Sequence, residues 1–470
     1  MKKLIAGLAV IITLGMIISL CGCPKIDGRP PEFSVSNPHA IPDSSGDVIV
    51  AYEVNNGKEA NTYVQRLGAQ GSALWGEKGL ELGTGSADFI SYQGDFASLI
   101  GDGQGNVIVV YPVRDTLWAQ KLDVEGNSVW STGKVRISAN EIRMPAFFRA
   151  VGDNFGGVIT TWASGDGHLC LQSTDDSGNQ KWYTEISTTR LDKFDIASDD
   201  SGNIFIIWKD NRSYSEGNIF IQKIDAKGQV AWLTGGLQLT NTRNPGYVRG
   251  DFNRKIIVDG EGGALATWVQ GVLSEDGRKI IGHDLYAQLI SSEGVMLWGE
   301  NGVFLAEMAH DPRIIGDAFE NTTVFWVDLQ NIYTQRLDAA GNFIWPGSGI
   351  NIGQAGEPTN IIYYCAADGG VGGAVIAWNY AENGNKFLCA QRLNAEGKKL
   401  WGENGVKVSM VPPYWASYST PAQISPDGNG GFFITWAAGA HLKGKTSSYI
   451  QRISGDGKLL WGEDGIRLNP

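Results

Sequence analysis

Two short stretches near the C-terminus decide the fold: DGNGGFFITW at 427–436 and YIQRISGDGKLLW at 449–461. In the second stretch Gly457 follows Gln451 by six residues, and Trp461 follows Gly457 by four. This Gln, Gly and Trp spacing occurs eight times in the chain without slipping. The glutamines are Gln65, Gln120, Gln172, Gln222, Gln288, Gln335, Gln391 and Gln451. A recurrence of about 54 residues predicts a repeat architecture.

The first stretch recurs just as regularly. It reads Asp-x-x-Gly, an apolar run, and an aromatic residue six positions after the glycine, as in Asp427, Gly430 and Trp436. The aromatic residues are Tyr52, Tyr111, Trp162, Trp208, Trp268, Trp326, Trp378 and Trp436. Two repeats depart from this pattern, with Glu320 in place of the glycine and Gly369 in place of the aspartate.

The two stretches together predict four antiparallel strands per repeat. An apolar strand A precedes the Asp-x-x-Gly, which forms a hairpin turn because the Asp bonds the local backbone and the Gly adopts a positive φ. Strand B is the apolar run after the turn, strand C surrounds the Gln, and strand D is expected to carry the second Trp. No segment shows helical periodicity. The sequence therefore predicts an all-β fold, an eight-bladed β-propeller of four-stranded antiparallel blades.

The residues that the repeats share are expected to be structural. The two Trp of each repeat would fill the wedge between neighbouring blades, and the Gln would satisfy backbone or indole N–H groups. Cys170 and Cys389 occupy the position two before the Gln, where the other repeats have an aromatic residue, so they are expected to be buried substitutes. No disulfide is predicted between these residues and Cys365. The last blade needs no N-terminal strand, although segment 33–36 is able to supply one.

The N-terminus has the pattern of a secretory address. Met1, Lys2 and Lys3 precede an uncharged apolar run at 4–20. The following Leu-Cys-Gly-Cys, ending at Cys23, resembles the lipobox of bacterial lipoproteins. The resemblance implies a signal peptide at 1–22, lipidation of Cys23, a tether at 23–36 and the propeller at 37–470. The protein is then anchored to a membrane outside the cytoplasm by its lipid, in the outer membrane if the cell has one. The alternative is an uncleaved signal anchor.

The repeats resemble those of bacterial secreted and surface β-propeller proteins, which carry Asp-x-x-Gly-Gly…Trp…Gln-Arg…Gly-x-x-x-Trp. The Gly-x-x-x-Trp element is also similar to the docking motif of quinoprotein-type propellers. Those include quinone-dependent dehydrogenases and an envelope-assembly lipoprotein. The dehydrogenases have an adjacent Cys-Cys pair near the cofactor. This chain has none, so no quinone or other cofactor is predicted.

Length variation between the repeats points to one face as the candidate functional face. The A–B and C–D turns have constant length, whereas the B–C and D–A connections vary. In a four-stranded blade both variable connections emerge on the same face, and loops on a rigid scaffold are where binding normally occurs. Drift in unconstrained loops is the alternative explanation. The net charge of −12 argues against a nucleic-acid partner.

Two groups of residues on this face are candidate ligand-binding residues. Tyr414, Trp415 and Tyr418 lie in a Pro-containing D–A connection and form either a stacking platform or a lid over a blade seam. His283 with Asp284, and His310 with Asp311, are expected to approach each other between the fifth and sixth blades. Ordinary surface histidines are preferred there to a metal site.

These patterns favour a non-catalytic binding or scaffold module that presents its variable face to a glycan or an envelope protein. One alternative is a polysaccharide hydrolase or lyase, with Asp284, Asp311 and Glu275 as candidate acids. The other is an envelope-assembly lipoprotein, by analogy of fold.

Overall fold

Eight consecutive four-stranded antiparallel sheets make up the protein. The computed structural model describes residues 34–56, 58–86, 97–138, 147–186, 188, 191, 194–210, 218–240, 254–274, 280–317, 321–328, 330–354, 363–383, 385–409, 422–440 and 445–468. Each sheet pairs its strands in chain order, A-B-C-D. The prediction of an eight-bladed β-propeller is confirmed. No helix that could cross a membrane is found among the residues that the structure describes.

The strands follow one another around the ring, four to a blade. The A strands are β1 (Ser34–Pro42), β5 (Ser98–Gly101), β9 (Phe148–Gly152), β13 (Phe194–Ser198), β17 (Arg254–Val258), β21 (His310–Gly316), β25 (Tyr364–Gly370) and β29 (Gln423–Pro426). The B strands are β2 (Val48–Asn55), β6 (Val107–Val113), β10 (Val158–Ala163), β14 (Ile204–Asp210), β18 (Ala264–Leu273), β22 (Thr322–Val327), β26 (Gly373–Glu382) and β30 (Phe432–Ala440). The C strands are β3 (Glu59–Leu67), β7 (Thr116–Leu122), β11 (Leu169–Thr174), β15 (Asn218–Ile224), β19 (Ile280–Ile290), β23 (Asn331–Leu337), β27 (Asn385–Leu393) and β31 (Lys445–Ile453). The D strands are β4 (Leu80–Ser86), β8 (Lys134–Arg136), β12 (Gln180–Ile186), β16 (Leu237–Gln238), β20 (Val303–Ala306), β24 (Ile350–Gln354), β28 (Val406–Ser409) and β32 (Ile466–Leu468).

The eight A strands form a closed inner ring. Each contacts the A strand of the next blade, and β29 of the last blade contacts β1 of the first. The last blade consists of β29 to β32 alone. Residues 34–36 belong to β1 in the first blade, so the N-terminal segment adds no strand to the last one. Across this seam Thr435 Oγ1 donates a hydrogen bond to the carbonyl of Pro38.

The second Trp of each repeat ties its blade to the next one. Its indole N–H donates to a backbone carbonyl in the C–D turn of the following blade at 2.8–3.1 Å in all eight repeats. The last of these bonds runs from Trp461 to Ala69, so it closes the ring. Arg66, Arg336, Arg392 and Arg452, which directly follow a Gln, donate to the same carbonyls as the Trp of their blades. This shared acceptor explains the Gln-Arg element of the motif.

The prediction that strand D carries the second Trp is wrong for seven blades. In those blades the Trp precedes strand D, as Trp75 precedes β4. The chain makes a single β-bridge after the Gly hairpin and then loops out before strand D begins. Blade 3 differs, because it lacks the loop and Trp182 lies within β12.

The buried Gln side chains hold this loop. In the first blade Gln65 Nε2 donates to the carbonyl of Gly76, and its Oε1 accepts from the backbone N–H of Trp75. Equivalent pairs of bonds occur in blades 4, 5, 6, 7 and 8. The prediction that the Gln satisfy backbone groups is therefore confirmed, while the indole N–H groups use the next blade instead.

Eight apolar clusters fill the eight seams between blades. Each combines the second Trp of one blade with the strand B aromatic of the next, such as Trp345 with Trp378 and Trp461 with Tyr52. This confirms that the two repeated aromatic residues fill the wedge. Cys170 and Cys389 are buried in these clusters as free thiols.

The constant turns lie together on one face. Arg66 joins Asp43 in the A–B turn of its own blade to Val124 in the C–D turn of the next blade. The B–C and D–A connections consequently emerge at the opposite ends of the strands. This variable face is where the A strands enter the inner ring.

Candidate functional site

One residue of each A strand occupies the same position around the axis. It pairs with the residue just before the strand B aromatic in every blade. These eight residues are His39, Ser98, Arg149, Asp195, Lys255, Arg313, Cys365 and Gln423. We call them the channel-mouth ring, because they lie near the start of each A strand, at the end that opens on the variable face. All eight are polar, charged or thiol-bearing.

The charged members of this ring come together in blades 3 to 6. Arg149 Nε lies 3.6 Å from one carboxylate oxygen of Asp195, and Lys255 Nζ lies 3.4 Å from the other. Asp195 also accepts from the backbone N–H of Ile256 at 3.3 Å. One carboxylate is thus shared by cations from the blades on either side of it.

Arg313 extends the cationic region into blade 6. Its Nη1 lies 2.7 Å from Asp311 Oδ1, and its guanidinium lies 5.4 Å from the ring centroid of Tyr364 in the next blade. A bulge between His310 and Arg313 places Asp311 at φ 48, an unusual conformation for a residue other than glycine. Tyr364 donates its hydroxyl proton to the carbonyl of Asp311. This bond and the ion pair fix the bulge.

The electrostatics show an excess of positive charge. Burial lowers the pKa of Lys255, and the charges of Arg313 and Arg149 lower it further, while Asp195 opposes the change. Burial also lowers the pKa of Arg149, and Arg313 contributes to this although it lies three blades away. Side chains from blades 3, 5 and 6 therefore converge. Among the described residues three cations share two carboxylates here, so an anion entering this region would be favoured in a protein that is acidic overall.

Below the channel-mouth ring lies a layer that is apolar in seven of the eight blades. Two residues further along each A strand, on the same face, lie Ile41, Ile100, Val151, Ala197, Ile257, Ile315, Ala367 and Ser425. Arg149 and Lys255 remain 25% and 26% exposed above this layer. Burial raises the pKa of the Cys365 thiol to about 12, so this ring member is neutral at physiological pH. The site is a shallow, charged mouth over an apolar floor.

The predicted approach of His283 and His310 is confirmed. Their ring centroids lie 4.8 Å apart, and the backbone N–H of Ala309 donates to the carbonyl of His283. Burial lowers the pKa of both imidazoles, so they are neutral at pH 7. Burial and the charge of Glu307 raise the pKa of Asp284. His310 adjoins Asp311, which places the pair beside the cationic part of the ring.

Other predicted site residues fall outside the described parts of the chain. Tyr414, Trp415 and Tyr418 lie within 410–421, Glu275 lies within 275–279, and Cys23 lies within 1–33. Their binding, catalytic and lipidation roles stay predictions. Among the residues that the structure does describe, no group of three or more His, Cys, Asp or Glu side chains is arranged to hold a metal ion.

The channel-mouth ring was not predicted from the sequence. A signal was available, because each member lies four residues before the Asp of Asp-x-x-Gly, or before Gly369 in the seventh repeat. Aligning the repeats on that Asp shows one polar column within the apolar strand A. The residue types in the column differ from repeat to repeat, so a search for shared residues passes over it.

Comparisons with known proteins support the fold. No family model and no curated protein matches the chain. Among solved structures, the BP39L lectin from Burkholderia pseudomallei is 12% identical over 79% of this chain and 99% of its own, with a TM-score of 0.54. A PL25 ulvan lyase is 10% identical over 92% and 97%, with a TM-score of 0.43. The polysaccharide lyase Uly1 is 10% identical over 82% and 93%, with a TM-score of 0.45. At 12% identity the likeness to the lectin concerns the β-propeller architecture alone.

Proposed function

We propose that this protein is a non-catalytic binding module that holds an acidic glycan at the channel-mouth ring. The observation that carries the proposal is the convergence of Arg149, Lys255 and Arg313 on two carboxylates in a chain of net charge −12. These three half-buried cations give the site a positive potential that an anionic ligand would find favourable. A carboxylate or sulfate group on a sugar provides the negative charge, and the guanidinium groups can bind it in bidentate fashion.

A glycan is preferred to a small inorganic anion for two reasons. The polar residues around the cations, including His39, Ser98 and Gln423, offer hydrogen bonds that suit a ligand with many hydroxyl groups. The ring also opens on the face with variable connections, where an extended chain has room to lie. The BP39L lectin, which shares the β-propeller architecture, makes carbohydrate the first ligand class to test.

The proposal includes the predicted setting outside the cytoplasm. Lipidation of Cys23 would hold the propeller close to a membrane surface, where acidic polysaccharides are exposed. Labelling the whole protein with a fatty-acid analogue in a bacterial host tests this part separately. Label retained in a Cys23→Ser variant would contradict it.

A second candidate is a lyase acting on acidic polysaccharides. The observation in its favour is the neutral His283–His310 pair, of which His310 belongs to the same strand, β21, as Arg313. β-Elimination needs a base to remove the proton next to a carboxyl group and a cation to stabilise the resulting charge. A neutral imidazole and a guanidinium are side chains of those two types.

The test is a binding titration of the mature chain with polygalacturonate, alginate and chondroitin sulfate, with neutral dextran for comparison. We expect binding of at least one acidic polymer that weakens with added salt. Arg149→Gln and Lys255→Gln should each weaken it about tenfold to a hundredfold, the usual effect of losing a charge-assisted hydrogen bond. Lys458→Gln removes the same charge from an exposed C–D turn on the opposite face and serves as the matched control.

Absorbance of the unsaturated product, followed in the same samples, separates the two candidates. Binding without product supports the module, whereas product that disappears in a His310→Gln variant supports the lyase. Equal affinity for dextran and for every acidic polymer would refute the proposed site. So would losses in the Lys458→Gln control that match those in the two ring variants.

A further inference from the structure

The seam between blades 5 and 6 contains a small cavity, of about 60 Å3, at the face that carries the A–B and C–D turns. Asp259, Glu261 and Leu289 of blade 5 and Ala339 of blade 6 are among the residues that line it. One water needs a cavity of about 10–15 Å3, so this one has room for about four water-sized atoms. A guanidinium group, with one carbon and three nitrogen atoms, is of that size.

In the other seven blades a lysine or arginine reaches this part of the seam. Its head group pairs with the Asp of its own A–B turn at 2.7–3.6 Å in blades 1, 2, 3 and 8, and makes the same ion pair in blade 6. In blades 4 and 7 it donates to turn carbonyls of the next blade. The cation directly follows the Gln, except in blade 3, where Lys181 precedes the docking Trp. Blade 5 has Leu289 and Leu297 at these two positions.

Blade 5 keeps the acceptors that such a cation uses. In blade 1 the Arg66 guanidinium donates to the carboxylate of Asp43, to the hydroxyl of Ser45 and to the carbonyl of Val124 in the next blade. The residues at the same three positions of the seam between blades 5 and 6 are Asp259, Glu261 and Ala339. All three line the cavity, and a carboxylate at 261 is a stronger acceptor for a cation than the hydroxyl it replaces.

These acceptors have bonding capacity left. Asp259 Oδ1 accepts from the backbone N–H groups of Glu261 and Gly263, whereas its Oδ2 has no cationic partner among the described residues. The carbonyl of Ala339 accepts the indole N–H of Trp298 at 3.0 Å and has a second lone pair. Glu261 is exposed, so the cavity can be reached from solvent. Two carboxylates and a carbonyl oxygen therefore favour a cation here.

We propose that this cavity binds a guanidinium group carried by a ligand, at the position that an arginine or lysine of the chain itself fills in the other seams. The planar fork of a guanidinium can donate to the Asp259 and Glu261 carboxylates and to the Ala339 carbonyl at the same time, as Arg66 does in blade 1. The site uses other residues and the opposite charge from the acidic-glycan site, on the opposite face, so each proposal can fail without the other.

Isothermal calorimetry tests the site with two guanidinium probes, agmatine and N-acetylarginine amide. N-acetylcitrulline amide has nearly the same shape as the second probe without its charge. We expect both guanidinium probes to bind at millimolar concentrations and the citrulline compound not to bind. Tighter binding of the arginine compound indicates a protein side chain as the natural source of the group, and tighter binding of agmatine indicates a free amine. The proposal is overturned if neither guanidinium probe binds, or if the citrulline compound binds as tightly as they do.

Two substitutions at Leu289 show whether the probe occupies the position of the absent cation. Leu289→Arg supplies the guanidinium from the chain itself, so we expect it to abolish binding of agmatine. Leu289→Met is the matched control, since it changes the side chain without adding charge and should leave binding within about twofold. Unchanged affinity in a folded Leu289→Arg variant would overturn the proposal.

A second pair of variants keeps the test decisive if Leu289→Arg misfolds. Asp259→Asn should weaken binding of agmatine about tenfold to a hundredfold, the usual effect of losing a charge-assisted hydrogen bond. Asp199→Asn is its matched control, because Asp199 holds the A–B turn of blade 4 through the backbone N–H groups of Ser201 and Asn203, as Asp259 does in blade 5. Equal losses in these two variants would show general attraction of a cation to an acidic protein and would overturn the site.

Discussion

Trp461→Ala should open the ring at one specific seam. Trp461 joins blade 8 to blade 1 through its hydrogen bond to Ala69, and a Cβ at Gly71 would lie 3.5 Å from its ring. Trp401 makes the same contacts between blades 7 and 8, with its indole N–H bonded to Gly455. The two sites differ in one respect. A D–A connection links blades 7 and 8 covalently, whereas blades 8 and 1 are joined by packing and hydrogen bonds without a chain connection.

The magnitude follows from what the substitution removes. Both indoles are almost fully buried, at 8% exposure for Trp461 and 6% for Trp401. Truncation of a buried Trp to Ala costs about 3–5 kcal/mol. At the covalently linked seam this loss appears mainly as reduced global stability. At the ring-closing seam it also lowers the free energy of local opening, which corresponds to exchange about 10²- to 10⁴-fold faster for the amides there. Trp461→Phe retains much of the packing and should lose about 1 kcal/mol, the contribution of one hydrogen bond.

The assay is native-state hydrogen exchange read by peptide mass spectrometry, with urea unfolding of the same proteins. Peptides from β1 and β32 report on the ring-closing seam, and peptides from β28 and β29 report on the seam between blades 7 and 8. We expect both Ala variants to lose similar global stability. Only Trp461→Ala should show selective loss of protection at its seam. Equal selective loss at both seams would refute the reasoning, because the covalent connection would then make no difference.

Three further predictions concern single side chains. Burial raises the pKa of Glu53 to about 7, so the destabilising effect of its carboxylate grows as pH rises from about 4.5 through 7. Glu53→Gln should therefore raise the free energy of unfolding at pH 8 by up to about 3 kcal/mol in urea melts. The same effect of Glu53→Gln at pH 5 and pH 8 would contradict this. Gln391→Met should lower the free energy of unfolding by about 3 kcal/mol, because it leaves buried backbone groups unpaired. Gln172→Met should cost less, since the Gln172 amide makes a long hydrogen bond of 3.4 Å to Thr174 Oγ1. Equal losses in urea melts would contradict the role assigned to Gln391 in holding the loop. Affinity for acidic polymers should fall as pH rises, because Lys255 loses its charge. The fall should begin below the usual pKa of an exposed lysine, since burial lowers the pKa of Lys255. Calorimetry should show no such fall for Lys255→Arg, and a pH profile unchanged by this substitution would contradict the role of the Lys255 ammonium.

The architecture could be predicted because its signals are local and repeated. The Asp-x-x-Gly turns and the apolar runs between them each require few residues, and eight copies remove the ambiguity of any single one. Strand D was misplaced because its start is set by a side chain. The Gln65 side chain bonds to the backbone at Trp75 and Gly76, in the loop before strand D. Strand propensities of single residues do not predict such a contact. The approach of His283 and His310 was predictable, since adjacent repeats bring them together.

The convergence of charged side chains at the axis could not be predicted from single repeats. Arg149 and Arg313 interact although they belong to blades 3 and 6, and this follows from closure of the ring. No local pattern encodes that distance. Cys389 was correctly placed in the slot of an aromatic residue, but the strand D residue near this slot differs between blades, with Tyr183 in blade 3 and Lys407 in blade 7.

The channel-mouth ring illustrates where we expect function to lie in a repeat protein of this kind. Residues that the repeats share, such as the docking Trp and the buried Gln, perform the same structural task in each blade, so they cannot distinguish one ligand from another. Positions that differ between repeats at a fixed register lie on the same frame but carry different chemistry. The channel-mouth ring holds its cations in blades 3, 5 and 6, whereas the same position is Ser98 in blade 2 and Gln423 in blade 8. A rigid common frame allows such differences to accumulate without loss of the fold, which is why the recognition of a ligand depends on the unequal positions.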